Sequence, residues 1–263
     1  MLDSGSAGAP FYRPVLDEVE AFRAAAGIGL PVLLKGPTGC GKSRLVEAMA
    51  HALGRPLVTV ACNDETSAAD LVGRYLLEGG STVWHDGPVT RAVRQGAVLY
   101  LDEVAEARED VLVVLHPLAD HRRELWIDRL DLRLAAAPGF LLVASFNPGY
   151  RKGVKDLKPS TRQRFVTIGM GYPAAEVEAE IVARESGCTA AVAKRLVALG
   201  RKIRGLDDLA LPETASTRLL VAAGSLIGAG LEPRLACVIA VVEPLSDDEE
   251  VLVPLRDLVS LAF

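Results

Sequence analysis

Residues 11–172 alternate between short, continuous apolar runs and stretches whose apolar positions recur at helical spacing. The apolar runs predict strands at residues 32–35, 57–61, 97–101 and 140–145. A strand that is apolar throughout suits a parallel sheet covered on both faces, because neither face then meets water. Helical spacing before the first run predicts a helix that ends at Gly27. Strands separated by helices predict an α/β fold, a parallel sheet sandwiched by helices.

The pattern changes at Tyr172 and Pro173, after which helical spacing continues without strand-like runs. It predicts helices at residues 176–185, 190–204, 215–229 and 234–242. We therefore predict an α/β core at residues 1–172 and a helical lid domain, all α, at residues 173–263. The first ten residues are mostly small and polar, and we expect a disordered tail there. The acidic residues 247–250 fit a solvated loop or a helix start.

A glycine-rich segment joins the first predicted strand to the helix that follows it. It reads Gly36-Pro37-Thr38-Gly39-Cys40-Gly41-Lys42-Ser43. This segment fits G-x-x-x-x-G-K-[ST], in which glycines let backbone N–H groups surround phosphates at a helix N-terminus. We expect this loop, with Arg44 at the helix start, to bind a nucleotide. Lys42 would reach the β- and γ-phosphates, and the Ser43 hydroxyl would hold Mg²⁺.

Two carboxylates, Asp102 and Glu103, follow the strand predicted at residues 97–101. Ligands bind at the carboxyl ends of strands in such sheets, so we expect Asp102 to join the Mg²⁺ shell. Glu103 would polarise the attacking water as general base. An Asp-Glu pair after a strand is by itself typical of a helix cap, but the phosphate-binding loop upstream favours the catalytic interpretation.

Four further polar residues could act at the phosphates or on the attacking water. Asn147 follows the strand at residues 140–145 and could orient water, although Asn-Pro alone indicates a turn. Arg162 and Arg164 lie in residues 158–165, here called the arginine loop, and could neutralise a transferring phosphoryl group. Either arginine alone would suggest only surface charge. Arg218 begins a predicted helix of the second domain and could sense the γ-phosphate.

Composition narrows the class of protein. The chain has 263 residues, with 29 Lys and Arg against 34 Asp and Glu. This balance disfavours a nucleic-acid-binding or anionic membrane surface. The four cysteines have no C-x-x-C spacing, so free thiols in a reducing cytosol are expected. The N-terminus lacks a signal-peptide pattern and no uncharged apolar stretch approaches about 18 residues, so we predict a cytoplasmic protein with no membrane span.

The order of these motifs resembles the AAA+ ATPases. Three phrases resemble the MoxR branch: Asp86-Gly87-Pro88, Leu101-Asp102-Glu103-Val104 and Phe146-Asn147-Pro148. Over residues 11–263 the chain is similar to the CbbQ/NirQ/NorQ group, and most similar to CbbQ. The resemblance implies a P-loop AAA+ core with a helical lid, assembled as a homohexameric ring that binds ATP between subunits.

The same resemblance assigns roles residue by residue. Lys42 and Ser43 match Walker A, Asp102 and Glu103 match Walker B, Asn147 matches sensor 1, and Arg218 matches sensor 2. Arg164 falls where the family places its arginine finger. MoxR proteins commonly read Asp-Arg-Phe there, whereas this chain reads Gln163-Arg164-Phe165. Both Arg162 and Arg164 therefore stay candidates for the main finger.

MoxR proteins also carry insertions that project toward the centre of the ring. Residues 75–84 form two strand-like runs around Gly79-Gly80, which predicts a hairpin. Residues 125–134 fit a second hairpin. Trp84 and Trp126 could grip a client protein or pack in small cores.

The implied function is a motor that uses ATP and Mg²⁺ to remodel a client protein. CbbQ relatives act with CbbO, which carries a von Willebrand factor A domain, and resemble a Rubisco activase; we favour this client. The alternative is maturation of nitric oxide or nitrite reductase, as for NorQ and NirQ relatives. A nucleotide-gated switch with little turnover is the hypothesis from another class, and Glu103 argues against it because a switch needs no base.

Overall fold

The computed structural model describes residues 9–148, 157–206, 211 and 213–263. Most of the predicted N-terminal tail lies outside the described residues. The chain divides into two compact units. The first comprises Met1–Gly36 and Gly41–Met170, and the second comprises Pro37–Cys40 and Gly171–Phe263.

The first unit is built on a five-stranded parallel sheet. The strands in chain order are β1 (Val32–Lys35), β2 (Leu57–Ala61), β3 (Gly73–Glu78), β4 (Ser81–Asp86), β5 (Val98–Asp102), β6 (Glu124–Ile127), β7 (Leu132–Ala135), β8 (Leu141–Phe146) and β9 (Val166–Gly169). The large sheet has the order β2-β5-β8-β1-β9. All four neighbouring pairs are parallel. The predicted α/β class is confirmed; β9 had no counterpart in the predicted set of strands.

Helices cover both faces of this sheet. They are α1 (Glu18–Gly27), α2 (Lys42–Ala52), α3 (Ala68–Val72), α4 (Pro88–Gln95), α5 (Glu109–Ala119) and α6 (Pro159–Arg162). Along β5, Val98 and Tyr100 pack with α1 and α2. Leu99 and Leu101 alternate to the opposite face, where α4 and α5 cover them. Burial on both faces explains why the strands read as continuous apolar runs.

The remaining four strands form two antiparallel hairpins, as the sequence predicts. In β3–β4, Tyr75 lies opposite Trp84, and in β6–β7, Trp126 lies opposite Arg133. Trp84 is partly buried against the core of the first unit, and its Nε1 donates to Asp86 Oδ1 at 2.8 Å. Trp126 is 39% exposed beneath the Arg133 guanidinium. Packing in a small core therefore describes Trp84 better than Trp126.

The second unit contains five α-helices among its described residues. They are α7 (Ala175–Ser186), α8 (Ala190–Arg204), α9 (Thr217–Gly228), α10 (Pro233–Cys237) and α11 (Glu249–Ala262). A π-helical turn, Val238–Val242, follows α10. The Asp248 side chain accepts from Glu250 N at 3.0 Å, so the acidic residues form the start of α11.

A buried ion pair joins the helices of the second unit. Glu178 is fully buried, and Arg204 Nη2 lies 2.6 Å from its Oε1. Thr217 Oγ1 also donates to Glu178 at 2.7 Å. Arg204 Nε donates to the carbonyl of Ala215 at 2.6 Å. The arrangement ties α7 and α8 to the start of α9, the helix that carries Arg218.

Among the described residues, no helix has both the length and the apolarity needed to cross a bilayer.

Candidate nucleotide-binding and catalytic site

The glycine-rich loop connects β1 to α2 in a conformation that depends on its glycines. Gly39 has φ +68 and Gly41 has φ +102, both in the left-handed region. A Cβ on Gly39 would lie 2.7 Å from Ser216 Cβ, so a larger residue would not fit. Lys42, at the start of α2, is buried and donates from Nζ to the carbonyl of Gly36 at 2.8 Å. A loop of this kind at a helix N-terminus binds phosphate through its N–H groups.

Asp102 lies at the end of β5, where three hydroxyl groups surround it. Its Oδ1 accepts from Ser145 Oγ at 2.6 Å and from the Tyr100 hydroxyl at 2.7 Å. Ser43 Oγ lies 3.1 Å from the Tyr100 hydroxyl and 3.5 Å from Asp102 Oδ2. The structure thus brings together the two residues predicted to hold Mg²⁺.

Glu103 follows Asp102 with φ 52, a conformation that costs a non-glycine residue about 1 kcal/mol. Its backbone N–H donates to Ser145 Oγ at 3.1 Å, which holds the turn in place. Burial raises the pKa of the Glu103 carboxyl and nearby Asp102 adds to this, whereas the Lys42 charge and a backbone N–H of Asn147 oppose it. A carboxylate of raised pKa is a stronger base, which suits proton abstraction from water.

We call Ser43, Tyr100, Asp102, Glu103 and Ser145 the strand-end cluster. The sequence analysis did not identify Tyr100 and Ser145. In the sequence, what could have pointed to them is a hydroxyl group within an otherwise apolar strand. A buried hydroxyl needs a hydrogen-bond partner, so its presence there suggests a polar neighbour. Tyr100 precedes Asp102 by two positions and so shares its face of β5.

The arginine loop makes a separate set of contacts. Arg162 is the last residue of α6. Arg164 Nη1 donates to Asp120 Oδ2 at 3.4 Å, just beyond the end of α5. Asp120 also pairs with Arg122 at 2.7 Å. Among the described residues the ion pair of Arg164 is therefore with Asp120, and the structure does not join Arg164 to the strand-end cluster.

Arg218 is the second residue of α9, which the Ser216 side chain caps by accepting from Leu219 N. Within the second unit, the segment Pro37–Cys40 lies against this helix start. A Cβ on Gly39 would lie 3.3 Å from Arg218 Cβ. The Thr38 carbonyl accepts from the Tyr172 hydroxyl at 3.0 Å, and Thr38 Oγ1 donates to Glu213 at 3.3 Å. Within this unit, Arg218 is therefore placed beside residues 37–40 of the glycine-rich segment.

A parallel sheet with a phosphate-binding loop after β1 and paired carboxylates after β5, with β8 between these two strands, is typical of a P-loop ATPase. Residues 31–165 match the family described as AAA domain (dynein-related subfamily). A mutant of RuvB from Thermotoga maritima has the same fold, with a TM-score of 0.55 and 18% identity over 90% of this chain and 66% of that chain. The chain is an ATPase of the AAA+ class, and it binds nucleotide.

Relatives of nearly the same length narrow the assignment of the chain within this class. NorQ from Paracoccus denitrificans is 60% identical over 99% of this chain and 96% of its own. NirQ from Pseudomonas aeruginosa is 55% identical over 96% and 97%, and CbbQ from Hydrogenophilus thermoluteolus 55% over 94% and 92%. Residues 178–262 match the family described as CbbQ/NirQ/NorQ C-terminal.

The chain belongs to the CbbQ/NirQ/NorQ family, as its sequence motifs predicted. The identity to NorQ is higher than that to CbbQ, so these comparisons do not single out the CbbQ branch.

Proposed function

We propose that the chain is the ATP-hydrolysing subunit of a homohexameric ring motor that remodels a client protein. The strand-end cluster supports this proposal, because Glu103, the proposed general base, directly follows Asp102, a proposed Mg²⁺ ligand, and Ser43 Oγ lies 3.5 Å from Asp102 Oδ2. In this proposal Lys42 binds the β- and γ-phosphates, Glu103 accepts a proton from the attacking water, and Asn147 orients that water.

Mg²⁺ is the cation that suits this site. The Ser43 hydroxyl and the Asp102 carboxylate are oxygen ligands, which a hard cation prefers. The described residues contain no group of three or more His, Cys, Asp or Glu side chains that could hold a metal. Mg²⁺ bound with a nucleotide needs only one or two carboxylates, since phosphates and water supply the other ligands. When bound, it would neutralise charge on the phosphates.

The arginines supply the remaining positive charge. Arg218 lies beside Gly39, and we propose that it senses the γ-phosphate. Arg164, with Arg162 as the alternative, would reach the nucleotide of a neighbouring subunit. Hydrolysis would remove the γ-phosphate that these arginines bind. The resulting conformational change in the helical unit would move the hairpins against the client.

A reductase of denitrification is the client that the relatives favour. NirQ is named a denitrification regulatory protein, and NorQ shares 60% of aligned residues with this chain. Inhibited Rubisco, with a CbbO-like partner carrying a von Willebrand factor A domain, is the second candidate, supported by 55% identity to CbbQ. For the reductase too, we propose a von Willebrand factor A partner.

An ATP-trapped variant tests this function. Glu103→Gln, loaded with Mg-ATP in a lysate of the source organism, should retain its partners because it binds ATP without turnover. Lys42→Ala, which should not hold ATP, is the matched control. Recovery of nitric oxide or nitrite reductase with a von Willebrand factor A protein supports the first client, and recovery of Rubisco supports the second. Equal recovery with both variants would contradict nucleotide-driven remodelling.

A further inference from the structure

Tyr100 has a hydroxyl in a place where packing alone would accept a phenyl ring. Its side chain is 2% exposed and packs with apolar residues of β1, β8 and α2. A phenylalanine would fill that space without a polar atom to satisfy. The hydroxyl instead contacts Ser43 at 3.1 Å and Asp102 at 2.7 Å. Both contacts are with the residues that would hold Mg²⁺.

The direct link between those two residues is weak. Ser43 Oγ lies 3.5 Å from Asp102 Oδ2, beyond the usual range for a hydroxyl hydrogen bond. Tyr100 lies closer to each of them than they lie to one another. The phenol therefore provides the shorter connection between the loop and the strand end.

The number of protons on these groups determines which group donates in each hydrogen bond. A phenol has one proton, and Tyr100 donates it to Asp102 Oδ1. Tyr100 can then only accept from Ser43, so the Ser43 proton points at Tyr100. A metal-binding hydroxyl must turn a lone pair toward the cation and its proton elsewhere. The relay from Ser43 through Tyr100 to Asp102 holds Ser43 in that orientation.

We propose that Tyr100 is a positioning residue for the cation site, orienting the Ser43 hydroxyl and the Asp102 carboxylate toward Mg²⁺. This inference rests on the proposed function, in which those two residues bind Mg²⁺ with the nucleotide. Tyr100 itself contacts neither metal nor phosphate in the proposal.

The test is the Mg²⁺ dependence of nucleotide binding by Tyr100→Phe. Affinity for a fluorescent ATP analogue is measured in EDTA and across a Mg²⁺ titration. Tyr100→Phe loses a hydrogen bond between a neutral hydroxyl and a charged carboxylate. We therefore expect the Mg²⁺ concentration that gives half of the increase in nucleotide affinity to rise about tenfold. The affinity in EDTA should stay within about twofold of wild type. Tyr75→Phe is the matched control, because its hydroxyl donates to the Arg129 carbonyl at 3.4 Å on a hairpin.

Other outcomes have distinct meanings. An unchanged Mg²⁺ requirement in Tyr100→Phe, or an equal loss of affinity with and without Mg²⁺, would overturn the positioning role. A wild-type protein whose affinity ignores Mg²⁺ would instead overturn the proposed function. In a Ser43→Ala background, adding Tyr100→Phe should have a smaller effect than in wild type, since the two residues act through one connection. Full additivity would also count against the relay.

Discussion

The strand-end cluster and the arginine loop both carry polar groups proposed for the reaction, but the contacts of these groups differ in length and burial. In the cluster, Asp102 accepts hydrogen bonds of 2.6 and 2.7 Å, and its partner Ser145 is fully buried. In the arginine loop, Arg164 is 34% exposed and its ion pair with Asp120 is 3.4 Å long. Water and salt screen the second contact and leave the first intact.

The difference indicates which catalytic groups are positioned by contacts within one subunit. The groups that would meet the cation and the attacking water hydrogen bond to one another within one subunit, and such preorganisation favours catalysis. The ion pair of Arg164 with Asp120 is long and partly exposed, so exchanging Asp120 for a phosphate would cost little free energy. We infer that its phosphate belongs to a neighbouring subunit.

The largest loss of turnover is expected when Arg164 is replaced. Arg164→Ala should lower ATP turnover about a thousandfold, as loss of an arginine finger does. Mixing it with Lys42→Ala subunits should restore some turnover, since each variant supplies what the other lacks at a shared site. Steady-state phosphate release measures both effects.

Two arginine variants make this result specific. Arg122→Ala removes the other arginine paired with Asp120, and it should keep turnover within about threefold of wild type. Arg162→Ala decides between the two finger candidates. Absence of rescue at every mixing ratio would contradict a site shared between subunits.

The pH dependence sharpens the description of the base. Because burial raises the pKa of Glu103 above its ordinary 4.5, the acidic limb of turnover should lie above that value. Turnover should fall about tenfold for each pH unit below the limb, since only the ionised carboxylate accepts a proton. Glu106 adds a negative charge that raises the pKa of Glu103, so Glu106→Gln should move the limb to lower pH. A limb that moves to higher pH in Glu106→Gln would contradict this electrostatic account.

Ser145→Ala tests the support of the cluster. It removes the donor to Asp102 and the acceptor of the Glu103 N–H, and we expect turnover to fall about tenfold. Ser67→Ala is the control, since it removes the N-cap of α3 and costs a similar stability away from the cluster. Thermal unfolding separates the two effects. Equal turnover in the two variants at equal unfolding midpoint would show that Ser145 only stabilises the fold.

The smallest expected effect is at Asp120. Asp120→Asn weakens a partly exposed ion pair, so turnover should change by less than about threefold and the unfolding midpoint by about 2 °C or less. A large loss of turnover would mean that Asp120 positions Arg164 for catalysis.

The features that could be predicted from the sequence are those encoded by local patterns of residues. Continuous apolar runs predicted the parallel sheet, and the loop motif predicted Lys42 and Ser43. The strand β9 was missed because Val166–Gly169 is short and follows a charged loop. Helix α11 was missed because Pro254 interrupts its pattern.

Contacts between distant segments could not be predicted in the same way. The link from Tyr100 to Ser43 depends on how α2 packs on β5, and that from Ser145 to Asp102 depends on strand pairing. The pair Arg164–Asp120 joins positions 44 residues apart with no motif to mark it.

One measurement tests the central claim most directly: binding and turnover of ATP by Glu103→Gln with Mg²⁺. The account predicts wild-type affinity for Mg-ATP with turnover lowered about a thousandfold, because the glutamine keeps the shape of the site and loses the base. Hydrolysis at the wild-type rate would contradict the assignment of Glu103 and, with it, the role of the strand-end cluster.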